Sequence, residues 1–114
     1  MSTIYAQGDI LVERVDGVLC CGALIDRDAD GALVLARGEI TGHRHAVFDR
    51  VMMFRDDNLA RDMPVELYVG HLRVDQDEVL LRHEEHAPIS LPRGTYRVRR
   101  QRELEPREAR IIAD

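Results

Sequence analysis

The chain has 114 residues, 45% of them apolar, no tryptophan and a formal net charge of −5, which is the size of one domain able to bury a core unaided. All 16 basic residues are arginine, which excludes a Schiff-base lysine, an amine nucleophile and a phosphate-loop lysine. Ser2 and Ser90 are the only serines, and neither stands in a Gly-x-Ser-x-Gly elbow, so serine hydrolysis has little support.

At the N-terminus, residues 1–7 lack a basic region followed by an apolar one, and no apolar run reaches the roughly 18 to 20 residues of a membrane helix. A cytoplasmic protein without a membrane partner is expected. Residues 9–15 and 18–25 are β-prone runs separated by Asp16-Gly17, a turn signal that predicts a hairpin or two successive strands. The adjacent Cys20-Cys21 have neither metal-knuckle nor redox-pair spacing and are expected to be reduced core residues. Asp26-x-Asp28-x-Asp30-Gly31 copies half of a calcium loop, but its twelfth position is Arg37, so an acidic turn is expected instead.

A strand over 32–37 follows, and in an unbroken pleat Leu33, Leu35, Glu39, Thr41, His43, His45 and Val47 share one parity. Residues 49–63 fit neither period and read as a loop with one helical turn. Residues 65–74 and 78–86 read as two strands joined by a tight Asp75-Gln76-Asp77 turn, a helix over 78–86 being the competing assignment. Pro92-Arg93-Gly94 reads as another turn, followed by a strand at 95–99 with Arg97 and Arg99 opposite Tyr96 and Val98. Residues 105–114 form a tail or a short helix with Pro106 in its first turn. About eight short strands predict an all-β domain over residues 1–104, a small barrel or a β-sandwich.

Four of the five histidines fall in two tight pairs, His43/His45 and His83/His86. A His-x-His pair on a strand projects both imidazoles from one face about 6 to 7 Å apart, which suits a divalent transition metal: zinc, iron, manganese, copper or nickel. Two imidazoles are half a ligand set. The i,i+3 spacing of His83-Glu84-Glu85-His86 is not the i,i+4 spacing of a helical zinc protease. Strand parity puts His83 and Glu85 inward and leaves His86 in need of a bulge. The candidate ligands are therefore His43, His45, His83, His86, Glu39 and Glu85. Glu84 or Glu85 is the candidate general base beside a metal-bound water.

The stretch from Gly38 to His45, with Asp49 after it, resembles the first cupin motif, in which a glycine precedes His-x-His and a carboxylate follows. Pro92-Arg93-Gly94 with Arg97 and Gln101 resembles the second. Gly38 stands one residue closer than in that motif, Asp49 replaces glutamate, and Arg97 replaces the histidine ligand. The resemblance implies a cupin-like barrel whose metal site draws its missing ligand from His83, His86, Glu39 or Asp49. The chain also resembles an uncharacterised bacterial family of small proteins sharing Gly-Glu-x-Thr-Gly-His-x-His and His-Glu-Glu-His-Ala-Pro-Ile-x-Leu-Pro-x-Gly-Thr-Tyr-Arg-Val, which implies no activity.

Charge is uneven: residues 1–92 carry net −8 and residues 93–114 net +3. Arg97 and Arg99 are candidates to clamp a small polar or anionic ligand. In the alternative reading, a non-enzymatic interaction module, they dock a protein or a nucleic-acid backbone.

Overall fold

In the computed structural model, residues 3–17, 22–38, 42–60 and 62–101 are described. The chain starts in β1 (Ile4–Gln7) and turns back at Gly8-Asp9 into β2 (Ile10–Val15), with Gln7 opposite Ile10. Gly8, at φ +59°, supplies the left-handed position that a two-residue hairpin turn needs. The first hairpin thus lies one strand earlier than Asp16-Gly17 suggested, because the four-residue β1 is too short to show an alternating pattern. Cys20 and Cys21 lie outside the described residues.

Six further strands follow: β3 (Ala23–Leu24), β4 (Leu33–Arg37), β5 (Arg44–Val47), β6 (Met52–Arg55), β7 (Tyr68–Arg82) and β8 (Ile89–Arg100). They form one antiparallel sheet in the order β1-β2-β8-β7-β5-β4, with β6 also on β7 and β3 on β6. The all-β expectation with eight strands is met. The barrel or two-sheet sandwich is not: among the described residues there is one sheet, and no ladder joins its end strands β1 and β4. The region expected to be a loop contains β6 and a 3-10 turn at Asp57–Leu59. No helix among the described residues is long and apolar enough to cross a membrane, and the helix expected after residue 104 lies outside them.

Two expected turns are absent. β7 runs for 15 residues through Asp75-Gln76-Asp77, and β8 for 12 through Pro92-Arg93-Gly94. Their ladder carries Val74 opposite Gly94 and then Glu78 opposite Pro92, a bulge that absorbs both segments. An inserted irregularity flips strand parity. Leu72 and Val74 are accordingly buried before it and Val79 and Leu81 after it, while β8 changes from Leu91 to Tyr96 and Val98. Turn-forming residues here mark a bend inside a ribbon, and the real reversal is the segment between Arg82 and Ile89. That reversal contains His83-Glu84-Glu85-His86, which is neither strand nor helix.

The inward residues of both halves of this ribbon join Ile10, Val12, Leu33 and Val47 in one apolar cluster. Asp49 belongs to the frame, since its Oδ2 accepts the Leu80 amide at 2.8 Å. The acidic turn also behaves as expected: Asp28 pairs with Arg37 and Arg44, and Asp30 with Arg44 at 2.9 Å.

Candidate functional site

Both histidine pairs sit at reversals of the sheet, and these reversals meet. His45 lies in β5 and His43 directly before it, while His83 and His86 lie in the β7–β8 turn. The His83 ring centroid is 4.4 Å from that of His45, 4.7 Å from His86 and 5.6 Å from His43. His86 needs no strand bulge to join, because a turn imposes no alternating parity. Glu39 lies outside the described residues.

A third reversal, the β1–β2 turn, forms the other wall. Gln7 is fully buried, and its amide nitrogen donates to the carbonyls of Leu81 and Ala87, both at 3.0 Å. Those two donations fix which end of the amide is oxygen. Oε1 faces His45 Nδ1 at 2.8 Å, so Nδ1 must donate and the neutral ring keeps its lone pair on Nε2. Nε2 in turn stands 3.4 Å from Asp9 Oδ1. His45 is 4% exposed, and burial, reinforced by the neighbouring His83, pushes its pKa down to about 4. At neutral pH the ring is uncharged, and two acceptor atoms face each other.

His83 is held in the opposite sense. Its Nδ1 accepts the amides of Glu85 at 3.0 Å and His86 at 3.3 Å, capping the turn. The neutral His83 therefore carries its proton on Nε2. Burial and the adjacent His86 lower its pKa. Glu85 Oε1 lies 3.3 Å from His43 Nδ1. Glu84 accepts the Arg44 amide at 2.8 Å, a bond that favours its ionised form and lowers its pKa.

One ligand atom each from His43, His83 and Glu84 fall within 4.8 Å of one another. Bonds of about 2.0 to 2.2 Å to a zinc-type ion would set ligand atoms about 3.4 Å apart, closer than this spread. The carboxylate is Glu84, where parity favoured Glu85. Beside it opens a hollow of about 270 Å³ lined by Arg44, Ala46, Phe48, Arg82, His83, Glu84 and Pro88.

Arg97 and Arg99 stand elsewhere. Arg97 is opposite His71 in the β7–β8 ladder, twelve positions before His83, and donates to Glu13 at 2.7 Å and Asp62 at 2.8 Å. Arg99 follows on the same face, half-buried. The fifth histidine, His71, is buried and shares a hydrogen bond between its Nδ1 and the Tyr68 hydroxyl over 2.8 Å, and that hydroxyl oxygen also takes the Asp56 amide. Burial lowers its pKa, helped by the charge of Arg97.

Sequence reasoning missed Gln7, Gly8 and Asp9. A lone buried glutamine has no sequence signal, whereas Gly8-Asp9 is a turn dipeptide whose significance depends on what folds against it.

Residues 6–101 match the model of a family described as Domain of unknown function (DUF8820). No curated protein and no solved structure matches the chain.

Proposed function

We propose that this chain, which belongs to the DUF8820 family through a match over most of its length, binds a divalent transition metal at its histidine cluster. The observation that carries the reading is the convergence of His43, His83 and Glu84 ligand atoms within 4.8 Å, drawn from two separate reversals of the sheet. Two imidazoles and a carboxylate suit zinc, iron, manganese, copper or nickel, with one or more positions left for water. Glu85 Oε1, 3.3 Å from His43 Nδ1, is a carboxylate that could hold a proton there if His43 were to ligate through Nε2. His83 holds its proton on the other nitrogen. To ligate through Nε2, His83 would have to carry its ring proton on Nδ1, which could then no longer accept the Glu85 and His86 amides.

The hollow beside Glu84 would admit a small polar or anionic ligand. Arg44 and Arg82 are among its lining residues, and Phe48 and Pro88 supply apolar wall. A cytoplasmic location is part of the same reading. The nucleic-acid alternative is weaker, because Arg97, its main candidate, is already neutralised by Glu13 and Asp62.

The test is titration of the full chain, purified without a histidine tag and stripped with chelator, against Zn²⁺ or Co²⁺ at about pH 7.5, where imidazoles are neutral ligands. Stoichiometric uptake is expected, weakened by His43→Ala with Glu84→Gln. The Glu85 and His86 amide resonances should shift as the turn opens. No uptake by the folded chain would overturn the proposal.

A further inference from the structure

The β1–β2 turn brings a second set of metal-type ligands to the same cluster. Gln7 pins the His45 ring so that Nε2 carries a lone pair, and Asp9 Oδ1 stands 3.4 Å from it. Two ligands on a tetrahedral ion with bonds of about 2.0 to 2.1 Å are about 3.4 Å apart, so the pair is already spaced as one edge of such a site. Arg100 holds the other carboxylate oxygen, Oδ2, at 3.2 Å, which leaves Oδ1 turned toward the imidazole. The Gln7 carbonyl is the hydrogen-bond acceptor that an imidazole ligand needs behind it to fix its tautomer.

A third imidazole reaches the same turn. A Cβ placed on Gly8 would lie 2.9 Å from His86 Nε2 and 3.2 Å from His45 Cε1. The space between the two rings is therefore kept by the missing side chain of Gly8, directly beside Asp9. The His45 and His86 rings lie nearly parallel, 15° apart, with centroids separated by 6.4 Å. Among the described residues, His43, His83 and Glu84 are the group whose ligand atoms all lie within 4.8 Å; Asp9, His45 and His86 use different atoms, and the His86 ring must swing toward the Asp9–His45 pair to complete a set.

We propose that the cluster holds a second divalent transition ion, bound by His45 Nε2 and Asp9 Oδ1 with His86 as the third ligand, next to the ion at His43, His83 and Glu84. Each ion then has two imidazoles and one carboxylate, and the alternating imidazoles of the two sequence pairs are shared out between them. This inference rests on the metal-binding reading above, and its test separates the two.

Ions bound per chain are counted by calorimetric titration with Zn²⁺ and by elemental analysis after desalting, for the native chain and for Asp9→Asn. Asp9 is half-exposed on a turn and asparagine keeps its shape, so the variant is expected to fold, which far-ultraviolet circular dichroism checks. Two ions in the native chain and one in Asp9→Asn is the expected result. In Co²⁺-loaded protein, the visible absorption should fall by about half in the variant. One ion in both proteins would overturn the second position while leaving the first. One ion in the native chain, lost in Asp9→Asn, would mean a single centre built on Asp9 and would also overturn it. No ion in either would overturn both readings.

Discussion

Replacing Gln7 with alanine removes one side chain and three hydrogen bonds, two of them buried and one part-buried: two donated to the carbonyls of Leu81 and Ala87, one accepted from His45. A hydrogen bond of this kind contributes about 1 kcal/mol net, and a buried partner left unsatisfied costs about 1 to 3 kcal/mol. Gln7 is 0% exposed, so water does not replace the lost groups without reorganisation. A loss of about 3 to 4 kcal/mol is expected, a large share of the roughly 5 to 15 kcal/mol that stabilises a domain. Guanidinium unfolding followed by far-ultraviolet circular dichroism measures it, the signal being strand because the chain has no tryptophan. Gln7→Glu separates the contributions. It keeps an acceptor for His45 but has no donor for the two carbonyls, so it should destabilise at least as strongly and raise the His45 pKa. A loss below about 0.5 kcal/mol in Gln7→Ala would refute the assignment of the amide and, with it, of the His45 tautomer.

Three further outcomes follow from neighbouring groups. Because His45 titrates near 4 when folded and near 6.5 when not, the unfolded chain binds a proton first as pH falls. Its contribution to stability is complete above pH 6.5 and lost toward pH 4, by at most about 3 kcal/mol; pH-dependent unfolding in chelator should show this slope, with His71 acting in the same direction, and a flat profile would contradict the burial argument. Gly8→Ala forces a side chain into a left-handed position and against both His45 and His86, so thermal unfolding should show a loss of about 1 to 2 kcal/mol, and unchanged stability would refute the close approach. Arg97→Ala strands the Glu13 carboxylate, which is 17% exposed, and should cost about 2 to 4 kcal/mol by denaturant unfolding; a neutral result would restore Arg97 as a surface group available to a partner.

The class of the fold was legible because alternation at Leu33 to Arg37 and at Thr95 to Arg99 needs no tertiary information. Where strands end was not. Asp75-Gln76-Asp77 and Pro92-Arg93-Gly94 carry turn chemistry, yet they face each other across one ribbon, and only the pairing shows that both are taken up in a single bulge. The same limit applies to the site. His45 lies in β5 and His43 directly before it, and both rings come near His83, whereas a parity argument for His83 and His86 failed because they occupy a reversal. Gln7 and Asp9 lie 38 and 36 positions before His45 in the sequence, and nothing local connects them.

The sheet's backbone ladder leaves β1 and β4 as open ends, but side chains cross the gap. Gln7 of β1 ties to His45 of β5 and to the Leu81 carbonyl of β7, and Arg100 touches both Asp9 and the Arg37 carbonyl of β4. The fold is thus fastened along a polar seam, where a closed barrel would use a further row of main-chain bonds. Such a fastening can be released by protonation or drawn tight by a cation without disturbing the apolar cluster beneath it. Releasing it would leave the free edges of β1 and β4 open to pairing with another strand, which places the histidines at a border where this sheet could be extended.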